Sequence, residues 1–167
     1  MNALPVWLPP LITLDDYDSD WSLYVDAIYA IFWRDFVEAQ PKLQGRWVRC
    51  RRDPLYDGKV AGFWHCIQEG ADEEERTPDL RRCERIAWIR AVIENARQPD
   101  VDDWPNVRGS DKRRLLWYRE EYLVVLADRM RQRDGFEYLQ LITAYCTPAE
   151  HTRRKLRKER DEAAANG

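Results

Sequence analysis

Long apolar runs are missing from this sequence of 167 residues. No stretch approaches the roughly 18 consecutive apolar residues that a membrane-spanning helix needs. The opening ten residues, MNALPVWLPP, contain no basic region of the kind that begins a secretion signal. We therefore expect a cytoplasmic protein with no membrane partner.

Cysteine and histidine are scarce, and their spacing does not suggest a metal site. The four cysteines lie in separate predicted elements without a C-x-x-C pair, at Cys50, Cys66, Cys83 and Cys146. Because no secretion signal is visible, free thiols are favoured over disulfides. A zinc site built from these cysteines and His65 is the alternative, but the spacing matches no finger or ribbon pattern. We predict that the protein uses neither a metal nor a cofactor.

The motifs of the best-known enzyme classes are also absent. The sequence contains no Walker loop, no G-x-G-x-x-G, no H-E-x-x-H and no G-x-S-x-G. These absences argue against a P-loop nucleotide hydrolase, a Rossmann dehydrogenase, a zinc protease and an α/β-hydrolase. The candidates that remain are histidines, a cluster of arginines and two hydroxyl groups near a strand end.

Charge is balanced overall but unevenly distributed. The formal net charge is −3, with −5 in residues 1–44, −2 in residues 45–107 and +4 in residues 108–167. A net negative chain is a poor polyanion binder, so local patches decide which partners are compatible. A nucleic acid would have to approach the basic C-terminal side.

Residues 114–145 carry the clearest structural signal, a meander of three strands. The segments 114–118, 122–127 and 138–145 are short, rich in β-branched and aromatic residues and separated by turn-forming residues. Strict alternation in the third strand places Leu139, Leu141, Thr143 and Tyr145 on one face. That face ends in two hydroxyl groups, which suggests a polar site at one end of the sheet.

The fold class predicted from these patterns is α+β. We expect an N-terminal helix, or helices, packed on a twisted antiparallel β-sheet of about four to five strands. Residues 1–17 are predicted to form an extended arm, residues 18–160 a single domain, and residues 161–167 a frayed C-terminus.

The remaining segments are assigned from their capping and breaking residues. Asp18 or Ser19 can cap a first helix that presents an aromatic stripe to the core. Residues 46–51 alternate as a half-buried strand, and Thr77 with Pro78 looks like a helix start. Residues 88–95 fit a strand or a helix equally well. Residues 98–110 are predicted to be a loop because of their prolines and glycine, and residues 150–162 a charged helix.

Three groups of residues could carry chemistry, and each also has a purely structural interpretation. His65, within an apolar segment, is either a core residue or a general acid or base. Arg81, Arg82 and Arg85 form either a solvated helix face or a phosphate clamp. Thr143 and Tyr145 either end a strand or line a site.

Several short sequence motifs resemble those of a largely uncharacterised bacterial, phage-associated family. They are GFWH at 62–65, DLRRCERI at 79–86, RLLW at 114–117, YLVVL at 122–126, LITAY at 141–145 and RRKLRKE at 153–159, with the opening LPVWLPP at 4–10. The order of elements, with helices, a histidine segment and a meander ending in Thr-Ala-Tyr, is in turn similar to the barnase–EndoU–colicin–RelE-like nucleases. Relatives usually have proline after Thr-Ala-Tyr, whereas here Cys146 follows.

The resemblance implies a metal-independent endoribonuclease, in many members a toxin that cleaves tRNA or mRNA by attack of the ribose 2′-hydroxyl. The catalytic set it implies is His65 as acid or base, Arg82 and Arg85 on the phosphate, and Thr143 with Tyr145 orienting it. RNA-binding roles then fall to the basic residues Arg81, Lys112, Arg113, Arg153, Arg154, Lys155 and Lys158. The expected partners are an RNA substrate and a cognate antitoxin or immunity protein.

A rival from another class is a non-catalytic, phage-derived interaction module, for instance an inhibitor or an antitoxin-like binder, in which His65 is structural. A DNA-binding protein that uses the basic tail is a third interpretation, but no helix-turn-helix pair is visible. Convergence of His65, an arginine from residues 81–85 and Thr143 in one cleft would favour the enzyme.

Overall fold

The computed structural model describes residues 3–70 and 72–167. Its helices are α1 (Trp21–Trp33, continued by a π turn at Arg34–Glu38), α2 (Ala61–Ile67), α3 (Leu80–Glu84), α4 (Trp88–Glu94) and α5 (Glu150–Asn166), with short 3₁₀ turns at Leu14–Tyr17 and Glu73–Glu75. The strands are β1 (Lys42–Leu43), β2 (Arg46–Cys50), β3 (Leu55–Tyr56), β4 (Lys59–Val60), β5 (Gln68–Glu69), β6 (Thr77–Pro78), β7 (Val101–Arg108), β8 (Asp111–Tyr118), β9 (Tyr122–Met130) and β10 (Glu137–Cys146). The α+β class is confirmed.

A six-stranded sheet in the order β1-β2-β10-β9-β8-β7 organises the molecule. The meander of β8, β9 and β10 is antiparallel, as predicted. β2, however, pairs in parallel with β10, Arg49 lying opposite Gln140. The sheet is therefore larger than the predicted four to five strands, and it is antiparallel except for this one pair.

The extra strand, β7, comes from the segment that was predicted to be a loop. All eight of its residues pair with β8, including Pro105, which lies opposite Arg114. Proline has no N–H to donate, but β7 is the last strand of the sheet, and an edge strand does not need that donor on its outer side. The proline content of this segment therefore does not distinguish a loop from an edge strand.

A bulge at Ile142 changes which side chains of β10 share a face. Leu141 pairs with Leu126, but the next paired residue is Thr143, opposite Val125, so Ile142 is the extra residue. One inserted residue reverses the alternation that follows it. Leu139 and Leu141 therefore share their face with Ala144 in the main core, and the predicted alignment with Thr143 and Tyr145 is wrong.

Helix starts also differ from the predictions by one or two residues. α1 is capped by Asp20, whose carboxylate accepts from the Leu23 amide at 3.1 Å. α3 is capped by Asp79, which accepts from the Arg81 amide at 2.9 Å, while Thr77–Pro78 forms β6. Residues 88–94 are helical, which resolves the ambiguity left by their pattern. At α1 and α3, a side-chain oxygen close to the helix satisfies an N–H that the first turn leaves open.

The sheet has a core on each face. The larger core lies between the sheet and α1, α2, α3 and α4, and the N-terminal arm packs against it, with Trp88 donating to the Pro9 carbonyl at 2.8 Å. The smaller core lies under α5 and consists of Trp104, Leu115, Trp117, Leu123, Val125 and Leu156. α5 continues to Asn166, beyond residue 160, where the domain was expected to end. No helix in the described ranges combines the length and apolar character of a membrane span.

Candidate active site

α2 carries His65 and is held close to the end of β2 by a glycine. A Cβ atom at Gly62 would lie 3.0 Å from the backbone N and O of Arg51, so a larger residue would force the helix away. The Gly62 amide donates to the Arg51 carbonyl at 2.8 Å. Phe63, Cys66 and Ile67 enter the core, which turns Trp64 and His65 towards the surface.

A cleft of about 530 Å³ opens beside His65. It is lined by Tyr56, Asp57, Ala61, Trp64, His65, Gln68, Glu74 and Arg76. The Trp64 indole donates to the Tyr56 carbonyl at 2.8 Å, which fixes the aromatic wall. The cleft thus combines two aromatic side chains, two carboxylates, one imidazole and one guanidinium.

The imidazole of His65 contacts the guanidinium of Arg76 directly, through Nδ1 and Nη1. Arginine can only donate, so Nδ1 must be the acceptor and the neutral ring carries its proton on Nε2. Arg76 is itself positioned by donation from Nε to the Gly70 carbonyl at 3.2 Å. The residue next to His65 in the cleft is therefore Arg76, which the sequence analysis did not single out.

Thr143 lies behind His65, where β2 stops pairing with β10. Its hydroxyl donates to the His65 carbonyl at 2.8 Å and accepts from Arg82 Nη1 at 3.2 Å. The same Arg82 nitrogen donates to the Gln68 carbonyl at 2.8 Å. The Thr143 hydroxyl of β10 and the Arg82 guanidinium of α3 thus hold the backbone carbonyls of His65 and Gln68.

Arg82 is largely buried in this position, with 13% of its side chain exposed. Its guanidinium lies 5.2 Å from the ring centroid of Tyr145 and 3.7 Å from an Asp79 oxygen. Arg82, Thr143 and Tyr145 therefore form one cluster, in which Thr143 contacts the backbone of His65. Such an arrangement positions α2.

Arg85 lies outside this cluster. It lies 5.0 Å from the Trp88 ring centroid, 3.6 Å from a Glu84 oxygen, and donates to the Arg81 carbonyl at 3.1 Å. It lines a pocket of about 200 Å³ with Arg81, Trp88, Glu121, Tyr122, Cys146, Pro148 and Arg153. Of the five residues predicted to be catalytic, the structure brings Arg82, Thr143 and Tyr145 together around His65 and leaves Arg85 in this second pocket.

The residues predicted to bind RNA lie on three elements. Arg81 is on α3 and shares the second pocket with Arg153 of α5, whose Nε donates to the Thr147 carbonyl at 2.8 Å. Lys112 and Arg113 are on β8, where Arg113 pairs with Asp111 at 2.7 Å. The α5 residues Arg154, Lys155 and Lys158 are exposed, and Lys158 lies 3.9 Å from Glu162.

The four cysteines are free thiols. Burial raises the pKa of Cys50 to about 11 and that of Cys83 to about 12, and it also raises the pKa of Cys66 and Cys146. A raised pKa keeps each thiol protonated at neutral pH, and metals bind the thiolate. Within the described ranges, no three His, Cys, Asp or Glu side chains are grouped to hold a metal ion.

The signal that could have identified Arg76 is weak in the sequence. Arg76 follows the acidic run 72–75, which looks like a solvated loop. It reaches His65 because β5 and β6, two residues each, pair across this loop and bring its ends together. Such short pairings have no periodicity to detect.

The chain matches no protein-family model, and neither the curated proteins nor the solved structures show a significant similarity to it.

Proposed function

We propose that the protein is a metal-independent endoribonuclease and that His65 acts in proton transfer. The observation that carries this proposal is the contact between the His65 imidazole and the Arg76 guanidinium in a cleft lined by Trp64 and Tyr56. An imidazole supplies a proton acceptor near neutral pH, and a guanidinium binds a phosphate diester. The two rings offer stacking surfaces for a base.

The chemistry requires two proton transfers and charge stabilisation. A base takes the proton of the ribose 2′-hydroxyl, the O2′–P bond forms, the P–O5′ bond breaks, and the 5′-oxygen gains a proton. Bound phosphate competes for Arg76, which frees Nδ1 of His65 to accept the 2′-hydroxyl proton. Arg76 then faces the negative charge that develops on the phosphorane. Water supplies the proton for the 5′-oxygen.

Arg82, Thr143 and Tyr145 act in this proposal by positioning. The Thr143 hydroxyl holds the His65 carbonyl, and Arg82 holds Thr143 and Gln68. An error of about 1 Å in the position of a catalytic group can cost on the order of 100-fold in rate. The resemblance to toxin nucleases extends the proposal to a tRNA or mRNA substrate and to a protein antitoxin.

The decisive experiment measures cleavage of RNA by the purified protein in the presence of a chelator. Cleavage should leave 2′,3′-cyclic phosphate ends, which mass spectrometry of a short oligonucleotide identifies. His65→Gln should reduce the rate by about 10² to 10⁴, the contribution of one acid–base group. Its Tm should stay close to that of the wild type, because the side chain lines a cleft.

The second histidine provides a matched control. His151 is exposed at the start of α5, so His151→Gln makes the same chemical change at a distance and should cleave RNA at the wild-type rate. If His65→Gln cleaves as fast as wild type, His65 is not the base. If neither the wild type nor His65→Gln cleaves any RNA, and His65→Gln has a lower Tm than the wild type, a structural role of His65 in an interaction module is the better explanation.

A further inference from the structure

α5 covers only part of the second face of the sheet. The smaller core beneath it uses Leu115 and Trp117 of β8 with Leu123 and Val125 of β9. Further along the same strands, Ala127 pairs with both Arg113 and Gln140. Every second side chain of a strand lies on the same face of the sheet. These positions therefore continue the face that α5 covers only in part.

We name this region the open half-face and define it by Arg49, Arg113, Arg129, Tyr138 and Gln140. The pairings Arg49 with Gln140 and Tyr138 with Arg129 place all five on the same side of four adjacent strands. Each of them is partly exposed. A concavity of about 540 Å³ opens at the β2 end and is lined by Gln40, Arg49, Cys50, Arg51, Arg52, Asp53, Tyr138 and Gln140.

Among the described residues, the arginines at this concavity differ from Arg113, Arg114 and Arg129 in having no carboxylate partner. Arg114 pairs with Asp103 at 2.7 Å, and Arg113 and Arg129 share Asp111. Arg49, Arg51 and Arg52 pair with none of the carboxylates in the described part of the chain. The Nε atom of Arg49 is buried and lacks a hydrogen-bond acceptor. A buried donor without an acceptor is destabilising.

Aromatic rings stand beside these guanidinium groups. The Arg49 guanidinium lies 5.2 Å from the ring centroid of Phe136 and 5.4 Å from that of Tyr138. The two rings stack on each other, with centroids 6.3 Å apart and planes 20° apart. Alternating guanidinium groups and partly exposed aromatic rings on a sheet face suit a chain of phosphates whose bases are unpaired.

We propose that the open half-face and the concavity at its β2 end bind single-stranded nucleic acid, with a phosphate at Arg49, Arg51 and Arg52 and a base stacked on Tyr138. Bases in a duplex are already stacked and cannot reach this ring, so a duplex should bind less well. The concavity adjoins α2, because the Arg51 carbonyl accepts from the Gly62 amide in the first turn of the helix that carries His65. α2 packs on the opposite face of the sheet, so a bound strand would pass around the end of β2 to reach the His65 cleft. The proposed preference for RNA over DNA rests on the proposed ribonuclease activity. The proposal of a binding surface for a single strand is independent of that activity.

The test measures binding in a background that cannot cleave. Fluorescence anisotropy with labelled ten-nucleotide oligouridylate, oligothymidylate and a duplex is recorded for His65→Gln and for the same protein with a second change. Arg49→Gln should weaken oligouridylate binding about tenfold and lower the slope of log K against log salt by about 0.7, the value for one phosphate contact on a single strand. Tyr138→Ala should weaken it at least about fivefold, and Tyr138→Phe should retain it, because the ring is what stacks.

A matched control is Arg97→Gln, which removes an exposed arginine outside the open half-face and should leave Kd unchanged. If Arg49→Gln fails to fold, the pair Arg51→Gln and Arg52→Gln, both exposed, tests the same concavity. Wild-type Kd in the folded Arg49→Gln and Tyr138→Ala variants, or duplex binding as tight as single-strand binding, would overturn the proposal. Tighter binding of oligouridylate than of oligothymidylate assigns the ligand to RNA, and equal binding supports either single strand. A wild-type protein that binds oligouridylate but cleaves no RNA would count against the ribonuclease alone.

Discussion

Thr143 shows how one hydroxyl group can support a site that it does not enter. It donates to the His65 carbonyl at 2.8 Å and accepts from Arg82 at 3.2 Å. Thr143→Val keeps the shape but leaves a carbonyl and a guanidinium N–H without a partner, so it should lower the free energy of unfolding by about 1–2 kcal/mol. Urea denaturation measures this loss. Thr143→Ser keeps the hydroxyl and should lose much less, and an equal loss in both variants would mean that packing of the methyl group dominates.

The sequence indicates which residues could form the site, but not the direction in which their side chains point. His65, Arg82, Thr143 and Tyr145 were all selected, and all four meet around α2. Their roles depend on orientation. The ring of His65 faces Arg76, while its carbonyl faces Thr143. A sequence pattern gives the type of a side chain and its spacing, and neither of these determines which atom of a helical residue meets which neighbour.

Among the elements, β10 shows what one inserted residue does to stability. Leu126 is fully buried in the main core, whereas Ile142 is the bulged residue and is only partly buried beside the smaller core. Leu126→Ala should therefore cost about 2–5 kcal/mol, as expected for a large-to-small change in a packed core. Ile142→Ala should cost only about 1 kcal/mol. Equal losses in urea denaturation would show that the bulge does not change the burial of Ile142.

The elements also separate what local pattern predicts from what it cannot. The strands of the meander were visible because apolar and β-branched residues dominate them. β7 was missed because Pro105 and Gly109 look like loop residues, and only its position at the sheet edge makes that proline acceptable. The parallel pairing of β2 with β10 joins residues about ninety positions apart. Nothing in either strand alone specifies such a partner.

For the molecule as a whole, the basic C-terminal end has a different role from the one that its composition suggests. Arg157 lies 2.7 Å from Glu120 and 2.9 Å from Glu150, and Arg160 lies 2.7 Å from Asp102. These arginines attach α5 to the sheet over the smaller core. Composition counts their charge as free for RNA, whereas the fold neutralises it. The concavity at the β2 end of the open half-face, with Arg49, Arg51 and Arg52, keeps its charge instead.

This arrangement predicts how α5 responds to acid. Hydrogen bonds from Arg157, together with Arg160, hold the pKa of Glu120 below its ordinary value. A carboxyl group with a lower pKa in the folded state stabilises the fold at pH values above its unfolded pKa. That contribution is lost as the pH falls through the folded pKa. Glu120→Gln should therefore have a lower Tm than wild type at pH 7, and the difference should shrink as the pH drops below about 4, where carboxyl groups ordinarily protonate.

The matched control for this prediction is Glu162→Gln, which breaks the exposed pair with Lys158 at 3.9 Å. An exposed pair at the surface of one helix contributes little, because solvent and salt screen it. Its Tm should therefore follow that of wild type at both pH values. A Tm of Glu120→Gln that equals wild type at pH 7, or a difference that persists in acid, would show that α5 is held by Leu156 and its apolar neighbours and not by the arginines. In that case the charges of Arg157 and Arg160 would be available to RNA after all, and the basic C-terminal end would again be a candidate for nucleic-acid binding.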